Sequence, residues 1–165
     1  QLEKIQQNSK AILDNMFHIV WPINPANDSM EMMVFKMRDF ASEILEPLGI
    51  SYHFDAGDFD LKAKINPLVR KNLYLIFKEA LNNASKYSKA SEITAKISIQ
   101  DGDLILLVID NGQGFSLDDE QNSGNGLRNM QERAKQIKGE MAFESRIAEG
   151  TKINLRVPSP YWGIG

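Results

Sequence analysis

One helical stretch of the sequence places a carboxylate, an amide and an ammonium group on a common face. Glu79, Asn83 and Lys86 are spaced i, i+4 and i+7, so they share one side of the helix. An amide oxygen can bind Mg²⁺, an ammonium group can contact a phosphate oxygen, and a carboxylate can orient a metal-bound water. The triplet therefore suits a metal–phosphate ligand, although alone it is better explained as a solvated helix face.

Three glycine-bearing stretches follow this helix in the chain. "DNGQGF" (110–115) closes the apolar run "LILLVI", "GNG" (124–126) opens a helical pattern, and "EGT" (149–151) lies between two strand patterns. Two glycines one residue apart exceed what a plain turn needs and indicate a backbone shaped for close approach of a ligand. Backbone N–H groups at a helix start bind anions. Each stretch alone is weak evidence, because each could be an ordinary turn.

The first 47 residues have a helical pattern. A heptad-like seam runs along the first helix, with members Leu2, Ile5, Ser9, Ile12, Met16 and Ile19. "WPINPANDS" interrupts it, since two prolines cannot lie inside a continuing helix. Asp28 followed by Glu31 resembles a capping box and predicts a second helix. Its apolar positions, which we expect to pack in a core or against another helix, are Met30, Met33, Met37, Phe40 and Ile44.

From residue 49 the pattern changes to mixed helix and strand. "ISYHF" alternates like a strand, and residues 66–88 predict a long helix with Asn66 as its cap and Pro67 at its first position. The apolar stripe of this helix is Val69, Leu73, Ile76, Ala80 and Ala84. "EITAKISI" and "LILLVID" predict a hairpin around Asp-Gly, "LRNMQERAKQIKG" a helix, and "EMAFESR" with "TKINLRV" a last hairpin. This order predicts an α+β two-layer sandwich, with a mixed sheet covered on one face by helices.

Composition excludes several classes of function. The 165 residues carry a formal net charge of −3, so a global basic field for nucleic acid is absent and no nucleic-acid partner is expected. There are no cysteines and only two histidines, which excludes a disulfide framework, a thiolate metal site and a His-rich metal site. No apolar run approaches the length of a membrane helix.

The order of the motifs carries a family resemblance. "EALNNASKYS", "DNGQGF", "GNGLRNM" and "EGT" resemble, in this order, the N, G1, G2 and GT-type boxes of the GHKL (Bergerat-fold) ATP-binding superfamily. Within it the chain is most similar to the catalytic domain of bacterial two-component sensor histidine kinases with a short ATP lid. The resemblance covers roughly residues 49–157. "IVWPINPANDSMEMM" is similar, more weakly, to the segment that joins dimerisation helices to the ATP domain.

The resemblance implies ATP and Mg²⁺ as cofactors and assigns roles to residues. Asn83 would ligate Mg²⁺, Glu79 would orient water or metal as the second catalytic residue, and Asp110 would accept a hydrogen bond from the adenine amino group. Lys86 and Tyr87 would lie near the phosphates or sugar, although the family often has His at the position of Tyr87. The implied nucleotide-binding residues are Asn83, Lys86, Tyr87, Asp110, Gly112, Gly114, Gly124, Asn125, Gly126, Leu127 and Thr151. "SLDDEQNS" would be the lid, with its acidic side chains in solvent.

The resemblance also implies a division of the chain and a reaction. Residues 1–48 would be the end of the dimerisation helices and a linker, 49–158 the ATP-binding domain, and 159–165 a tail without a readable role. The γ-phosphoryl group would pass to a histidine and then to a response regulator receiver domain. In the kinases that the chain resembles, the acceptor histidine is followed by an acidic residue. Neither His18 nor His53 has this neighbour, so the resemblance implies an acceptor histidine upstream of Gln1. The fragment would bind MgATP without phosphorylating itself. The full protein would form a homodimer through its N-terminal helices. This chain would be the cytoplasmic domain of a membrane-bound sensor.

Two alternatives share the motifs. An anti-sigma-factor-type serine kinase has the same boxes, but the helical prefix with its two seams argues against it. A degenerate domain could bind nucleotide only as a scaffold, but every box residue is present in this chain. Phosphotransfer to a receiver domain or to a serine acceptor protein would separate the first alternative from the histidine kinase.

Overall fold

A computed structural model describes residues 28–116 and 125–163. The helices of this part are α1 (Met30–Leu45), α2 (Pro67–Tyr87), α3 (Asn125–Gln136) and the single-turn α4 (Ser159–Trp162), with a 3₁₀ turn at Glu46–Leu48. The strands are β1 (Ser51–Ala56), β2 (Glu92–Gln100), β3 (Asp103–Asp110), β4 (Glu140–Arg146) and β5 (Gly150–Val157). The predicted seam of residues 2–19 and the predicted lid after residue 116 lie outside these ranges.

The strands form one mixed sheet in the order β1-β2-β3-β5-β4. β1 runs parallel to β2, and the other neighbours are antiparallel. One face of the sheet packs against the helices: on β3 the side chains of Leu104, Leu106 and Val108 are buried, whereas Ile109, which points the other way, is 36% exposed. The predicted α+β two-layer architecture is confirmed.

Helix α1 begins one residue later than the predicted capping box requires. Its cap is Ser29, whose Oγ accepts a hydrogen bond from Met32 N at 3.2 Å. Asp28 instead forms an ion pair with Lys64 at 3.1 Å, and its carbonyl accepts a hydrogen bond from Ile65 N. The interpretation of Asp28 as the cap was therefore wrong, because Asp28 pairs with Lys64 and Ile65, and Ser29, with φ −87° and ψ 152°, is the extended residue that precedes the helix.

The apolar seam of α1 packs into the main core. Met30, Met33, Met37 and Phe40 are buried in one cluster with residues of α2 and the sheet, and Ile44 packs at its edge. The ring of Phe40 meets that of Tyr74 edge-on, with centroids 6.1 Å apart. The expectation of a core role is confirmed. The predicted boundary between the dimerisation segment (1–48) and the ATP-binding domain (49–158) stays a prediction. Helix α1 lies before this boundary and packs in the same core as the residues after it.

Helix α2 begins as its sequence predicts. Asn66 Oδ1 accepts hydrogen bonds from the backbone N–H of Leu68 at 2.9 Å and of Val69 at 3.4 Å, and Pro67 occupies the first position. The five residues of its predicted apolar stripe are all buried. The helix therefore lies with this stripe on the core, and its neighbouring positions face α3 and the candidate site.

Residues 159–162 contact the end of β3 that lies opposite to Asp110. Trp162 Nε1 donates a hydrogen bond to Gly102 O, and Trp162 O accepts one from Asn66 N, both at 2.8 Å. Ser159 N donates to Asp103 Oδ1 at 2.8 Å. Because Asp103 starts β3 and Asp110 ends it, these contacts stabilise the far end of the strand. Within residues 28–116 and 125–163, no helix has the length and apolarity needed to cross a bilayer.

Candidate functional site

A row of polar side chains crosses three neighbouring strands at one end of the sheet, next to the buried apolar rows. Asp110 on β3 is paired in register with Thr151 on β5, and Thr151 with Ser145 on β4. Strand alternation turns all three side chains toward the helix-covered face. The next row on the same face consists of Val108, Ile153 and Phe143. The polar row thus marks the edge at which a ligand can meet the inner face of the sheet.

Asp110 is the only carboxylate among the three residues of this row. It is only 7% exposed, and its Oδ1 accepts a hydrogen bond from Gly112 N at 2.9 Å. Burial raises the pKa of Asp110, and hydrogen bonding by Gly112 N, the backbone of Thr151 and the side chain of Ser88 opposes that rise. A buried carboxylate with this set of donors is a preorganised hydrogen-bond acceptor.

Ser88 joins the end of α2 to the loop after β3. Its Oγ donates toward Ala84 O at 2.5 Å and accepts a hydrogen bond from Ala90 N at 3.0 Å. Its carbonyl accepts a hydrogen bond from Gln113 N at 2.6 Å. The sequence motifs alone indicate no role for Ser88. Its burial in the structure, at 8% exposed, is what distinguishes it from an ordinary helix end.

The two glycines of "DNGQGF" are required by contacts within the protein. A Cβ added to Gly112 would collide with the backbone and side chain of Ser88. Gly114 has φ +58°, and a Cβ there would collide with the carbonyl of Arg146. The sequence interpretation was that a ligand comes close at both positions. In the structure the close neighbours are Ser88 and Arg146, so close approach of a base to these glycines is a separate proposal.

Ser145 ties the same loop to β4 and β5. Its Oγ accepts a hydrogen bond from Phe115 N at 2.9 Å and lies 3.0 Å from Thr151 Oγ1 and 3.1 Å from Gly150 O. Ser145 lies outside the four sequence motifs. The signal that could have found it is the alternation of "EMAFESR", which gives Ser145 the same inward direction as Met141 and Phe143.

Asn111 fixes the loop from the other side. Its Oδ1 accepts hydrogen bonds from the backbone N–H of both Ser91 and Glu92 at 3.0 Å, and its Nδ2 donates to Ser91 Oγ at 3.0 Å. The amide therefore holds the end of β3 against the start of β2. Its role is structural, and it explains the amide within "DNGQGF".

A second group of predicted residues meets at the start of α3. A Cβ added to Gly126 would lie 2.5 Å from Glu79 Oε1 and 3.1 Å from Asn83 Nδ2. The predicted carboxylate and amide of α2 therefore converge on the last glycine of "GNG". Leu127, the next residue, packs partly buried against the core. This brings the first and third predicted motifs together through space.

A cavity of about 180 Å³ opens beside this group, between α2 and α3. Of the predicted site residues only Glu79 lines it. Burial lowers the pKa of Lys78 in its wall, and the charges of Glu43 and Glu79 oppose that shift. The full lining is Leu75, Lys78, Glu79, Asn82, Asn129, Met130 and Arg133.

Other predicted residues are less engaged. Tyr87 is 68% exposed, and only its carbonyl is used, as acceptor for Gln113 Nε2 at 2.8 Å. Lys86 is exposed, and within the described part of the chain its side chain makes no hydrogen bond or ion pair. Asn125 is exposed as the first residue of α3. Gly124 lies outside the described residues.

The chain is similar to a sensor histidine kinase and to a sensor protein of two bacteria. The chain is 42% identical over 90 residues to the sensor histidine kinase LiaS of Bacillus subtilis (strain 168), covering 54% of this chain and 25% of LiaS. It is 27% identical over 157 residues to the sensor protein VraS of Staphylococcus saprophyticus, covering 95% of this chain and 43% of VraS. The chain thus spans between a quarter and a half of the length of these relatives.

A solved structure shares the fold. Full-length ShkA in complex with AMPPNP matches with a TM-score of 0.68 at 15% identity, covering 94% of this chain and 36% of ShkA. Residues 69–161, more than half of the chain, match the ATPase family described as histidine kinase-, DNA gyrase B-, and HSP90-like. This match includes α2, the polar row and the start of α3. The chain therefore belongs to the family of histidine kinase-, DNA gyrase B- and HSP90-like ATPases.

Proposed function

We propose that this chain is the MgATP-binding catalytic part of a sensor histidine kinase, which transfers the γ-phosphoryl group to a histidine. The observation that carries the proposal is the buried Asp110 carboxylate, held as an acceptor at the edge of the sheet within a family of ATPases. The named relatives are a sensor histidine kinase and a sensor protein, and ShkA, which shares this fold, is in complex with AMPPNP.

Asp110 would select the base. An ionised carboxylate accepts a hydrogen bond from the amino group of adenine. Guanine presents a carbonyl oxygen at that position, so two hydrogen-bond acceptors would face each other. Thr151 beside it would contact the same side of the base. Gly112 and Gly114 would let the base lie against the loop.

Glu79, Asn83 and the start of α3 would hold the phosphate end. The donor set fits a magnesium phosphate, because an amide and a carboxylate converge on Gly126, where any side chain would fill the space. Asn83 would ligate the metal and Glu79 would orient a water or the metal. Mg²⁺, when bound, would neutralise phosphate charge. The remaining proposed phosphate and sugar contacts are Lys86, Tyr87, Gly124, Asn125 and Leu127.

The acceptor histidine and the partners belong to the same proposal. His53 lies on β1 on the outer face of the sheet, whereas the candidate site lies on the helix-covered face, so His53 is poorly placed as the acceptor. We place the acceptor outside this chain. The resemblance to sensor kinases supports a response regulator receiver domain as partner, a homodimer formed through the N-terminal helices of the full protein, and a cytoplasmic location in a membrane-bound sensor.

Calorimetric titration with ATP tests the proposal. We expect binding that weakens without Mg²⁺ or in Asn83→Ala, that is lost in Asp110→Asn, and that GTP does not reproduce. A folded protein that binds no ATP at millimolar concentration would contradict the proposal. Adding a separately purified dimerisation segment with its acceptor histidine, together with γ-labelled ATP, tests the transfer step, and label on His53 would contradict the placement of the acceptor.

A further inference from the structure

The side chains that line the cavity between α2 and α3 leave several hydrogen-bond donors unused. Asn82 and Arg133 are half-buried there, and Asn129 is exposed. Within residues 28–116 and 125–163, no hydrogen bond or ion pair engages any of these three side chains. The apolar part of the lining is Leu75 and the buried Met130. Because polar groups that leave water without a partner cost free energy, these donors favour an occupant that accepts their hydrogen bonds.

The cavity adjoins the proposed phosphate end of the nucleotide site. Glu79 lines it, and Glu79 Oε1 would lie 2.5 Å from a Cβ added to Gly126. Asn129 and Arg133 follow Gly126 by three and seven residues, so they lie on the same face of α3 as this glycine. A group that enters the cavity therefore comes next to the position proposed for the phosphates.

The charges around the cavity favour a negatively charged occupant. Lys78 and Arg133 bring two positive charges, against the single negative charge of Glu79. Lys78 already has partners, since its Nζ lies 5.4 Å from the centroid of the Phe40 ring, and the charges of Glu43 and Glu79 oppose the fall in its pKa that burial causes. Among the described residues, no carboxylate forms an ion pair with Arg133. Arg133 is therefore the cation that remains for an incoming anion.

We propose that this cavity receives an acidic side chain of the segment that carries the acceptor histidine, with Arg133 as its ion-pair partner and Asn82 and Asn129 as amide donors. The inference rests on the proposed function, because a phosphoryl acceptor has to reach the phosphate end, and the cavity lies beside it. A carboxylate accepts hydrogen bonds from a guanidinium group and from amide N–H groups at once. Arg133 is then a positioning residue, which holds the acceptor segment and does not contact ATP.

NMR of the nitrogen-bound protons of the side chains tests the docking without nucleotide. The probe is the separately purified dimerisation segment with its acceptor histidine, added to the labelled protein. We expect the signals of the Asn82 and Asn129 amides and of Arg133 Nε to shift. The Asn111 amide is the internal control and should not shift, because it is held by Ser91 and Glu92 and does not line the cavity. Unchanged Asn82, Asn129 and Arg133 signals at the highest soluble concentration of the segment would overturn the proposal.

The Arg133→Gln variant tests the ion pair. Its affinity for the dimerisation segment should fall about tenfold, as expected for loss of a hydrogen bond between charged groups, while its affinity for ATP stays unchanged. Arg133→Lys keeps the charge and should recover part of the loss. Arg128→Gln is the matched control: it removes the same charge from the same helix, but Arg128 pairs with Glu132 at 3.3 Å and does not line the cavity. This control should keep both affinities.

Three further outcomes separate this inference from its alternatives. Weaker ATP binding in Arg133→Gln would place Arg133 in the nucleotide site and overturn the proposal, and so would an equal loss of segment affinity in Arg128→Gln. If Arg133→Gln does not fold, Asn129→Asp changes an exposed residue, sets a like charge against the incoming carboxylate and should weaken docking in the same way. If the parent protein binds no ATP, the proposed function fails, while the NMR titration still decides whether the segment docks in the cavity.

Discussion

The hydroxyl of Ser145 lies 3.0 Å from the hydroxyl of Thr151 and binds the backbone N–H of Phe115. This contact joins edge strand β4 to the polar row and to the loop after β3. Because Thr151 is paired with Asp110 in the sheet, Ser145 supports the candidate base site without being part of any recognised motif.

Ser145→Ala should weaken both the fold and nucleotide binding. It leaves the N–H of Phe115 without its acceptor and frees the Thr151 hydroxyl, so we expect a loss of about 1–3 kcal/mol in the free energy of unfolding. Urea denaturation and ATP calorimetry measure the two effects. The control is Ser98→Ala, since Ser98 is also a strand serine but is buried on β2, away from the row. Ser98→Ala should leave ATP affinity unchanged, and equal loss of affinity in both variants would contradict the prediction.

Asp110 should make the protein less stable as pH rises through a defined window. Its pKa in the folded protein is raised above the ordinary value of 3.8, so the folded state binds the proton more tightly than the unfolded state. The stabilisation is complete below the unfolded pKa and is lost as pH rises toward the folded pKa. Asp110→Asn should lack this dependence.

Urea denaturation of both proteins at a series of pH values checks this sign. The parent protein should lose stability relative to Asp110→Asn as pH rises from about 3.8 upward. A difference that is constant with pH would show that the carboxyl titrates alike in the folded and unfolded states.

Gly126→Ala should separate binding from folding. The added methyl group meets the end of the flexible Glu79 side chain, which can move, and Ala is favoured over Gly in a helix by about 1 kcal/mol. The melting temperature should therefore be kept or raised, while MgATP affinity should fall about tenfold as Glu79 and Asn83 are displaced. Unchanged affinity would place the phosphate end elsewhere.

Gly150→Ala should instead damage the fold. Gly150 has φ +79°, and a Cβ there would collide with the backbone carbonyl of Asp110. Backbone cannot move aside cheaply, so we expect destabilisation of about 2 kcal/mol or more. Gly163→Ala is the control, because nothing lies within 4 Å of its added Cβ. Similar unfolding free energies for the two variants would contradict this prediction.

Asn111 should prove important for stability. Asn111→Ala removes the acceptor for the N–H groups of Ser91 and Glu92, which should reduce the free energy of unfolding by about 2 kcal/mol. Asn111→Asp keeps that acceptor and loses only the donor to Ser91 Oγ, so it should lose less. Urea titration of both variants measures this, and equal losses would show that the donor matters as much as the acceptor.

The parts of the fold that depend on local pattern were predicted from the sequence. Asn66 and Pro67 identified the start of α2, and period-two alternation identified the strands, because these signals come from neighbouring residues. The Asp101–Gly102 hairpin turn, with φ of 51° and 86°, likewise follows from local chemistry.

The parts that depend on tertiary register could not be predicted in this way. Ser88, Asn111 and Ser145 are common polar residues, and their roles appear only when β3, β4, β5 and the end of α2 are brought together. The same holds for α1, where pairing of Asp28 with Lys64 moved the cap to Ser29. The local sequence offers two adjacent capping residues, Asp28 and Ser29. Which of them caps the helix depends on Lys64, which is distant in sequence and pairs with Asp28.

The register between β3 and β5 also has a kinetic consequence. β2–β3 and β4–β5 are each closed by a short turn and can form from local contacts, but Asp110 and Thr151 meet only when the two hairpins dock across the intervening loop and α3. Closing that long segment is entropically costly and slow relative to hairpin formation. We therefore expect the base-binding row to be completed late in folding, and a nucleotide bound there to hold the two hairpins together against unfolding.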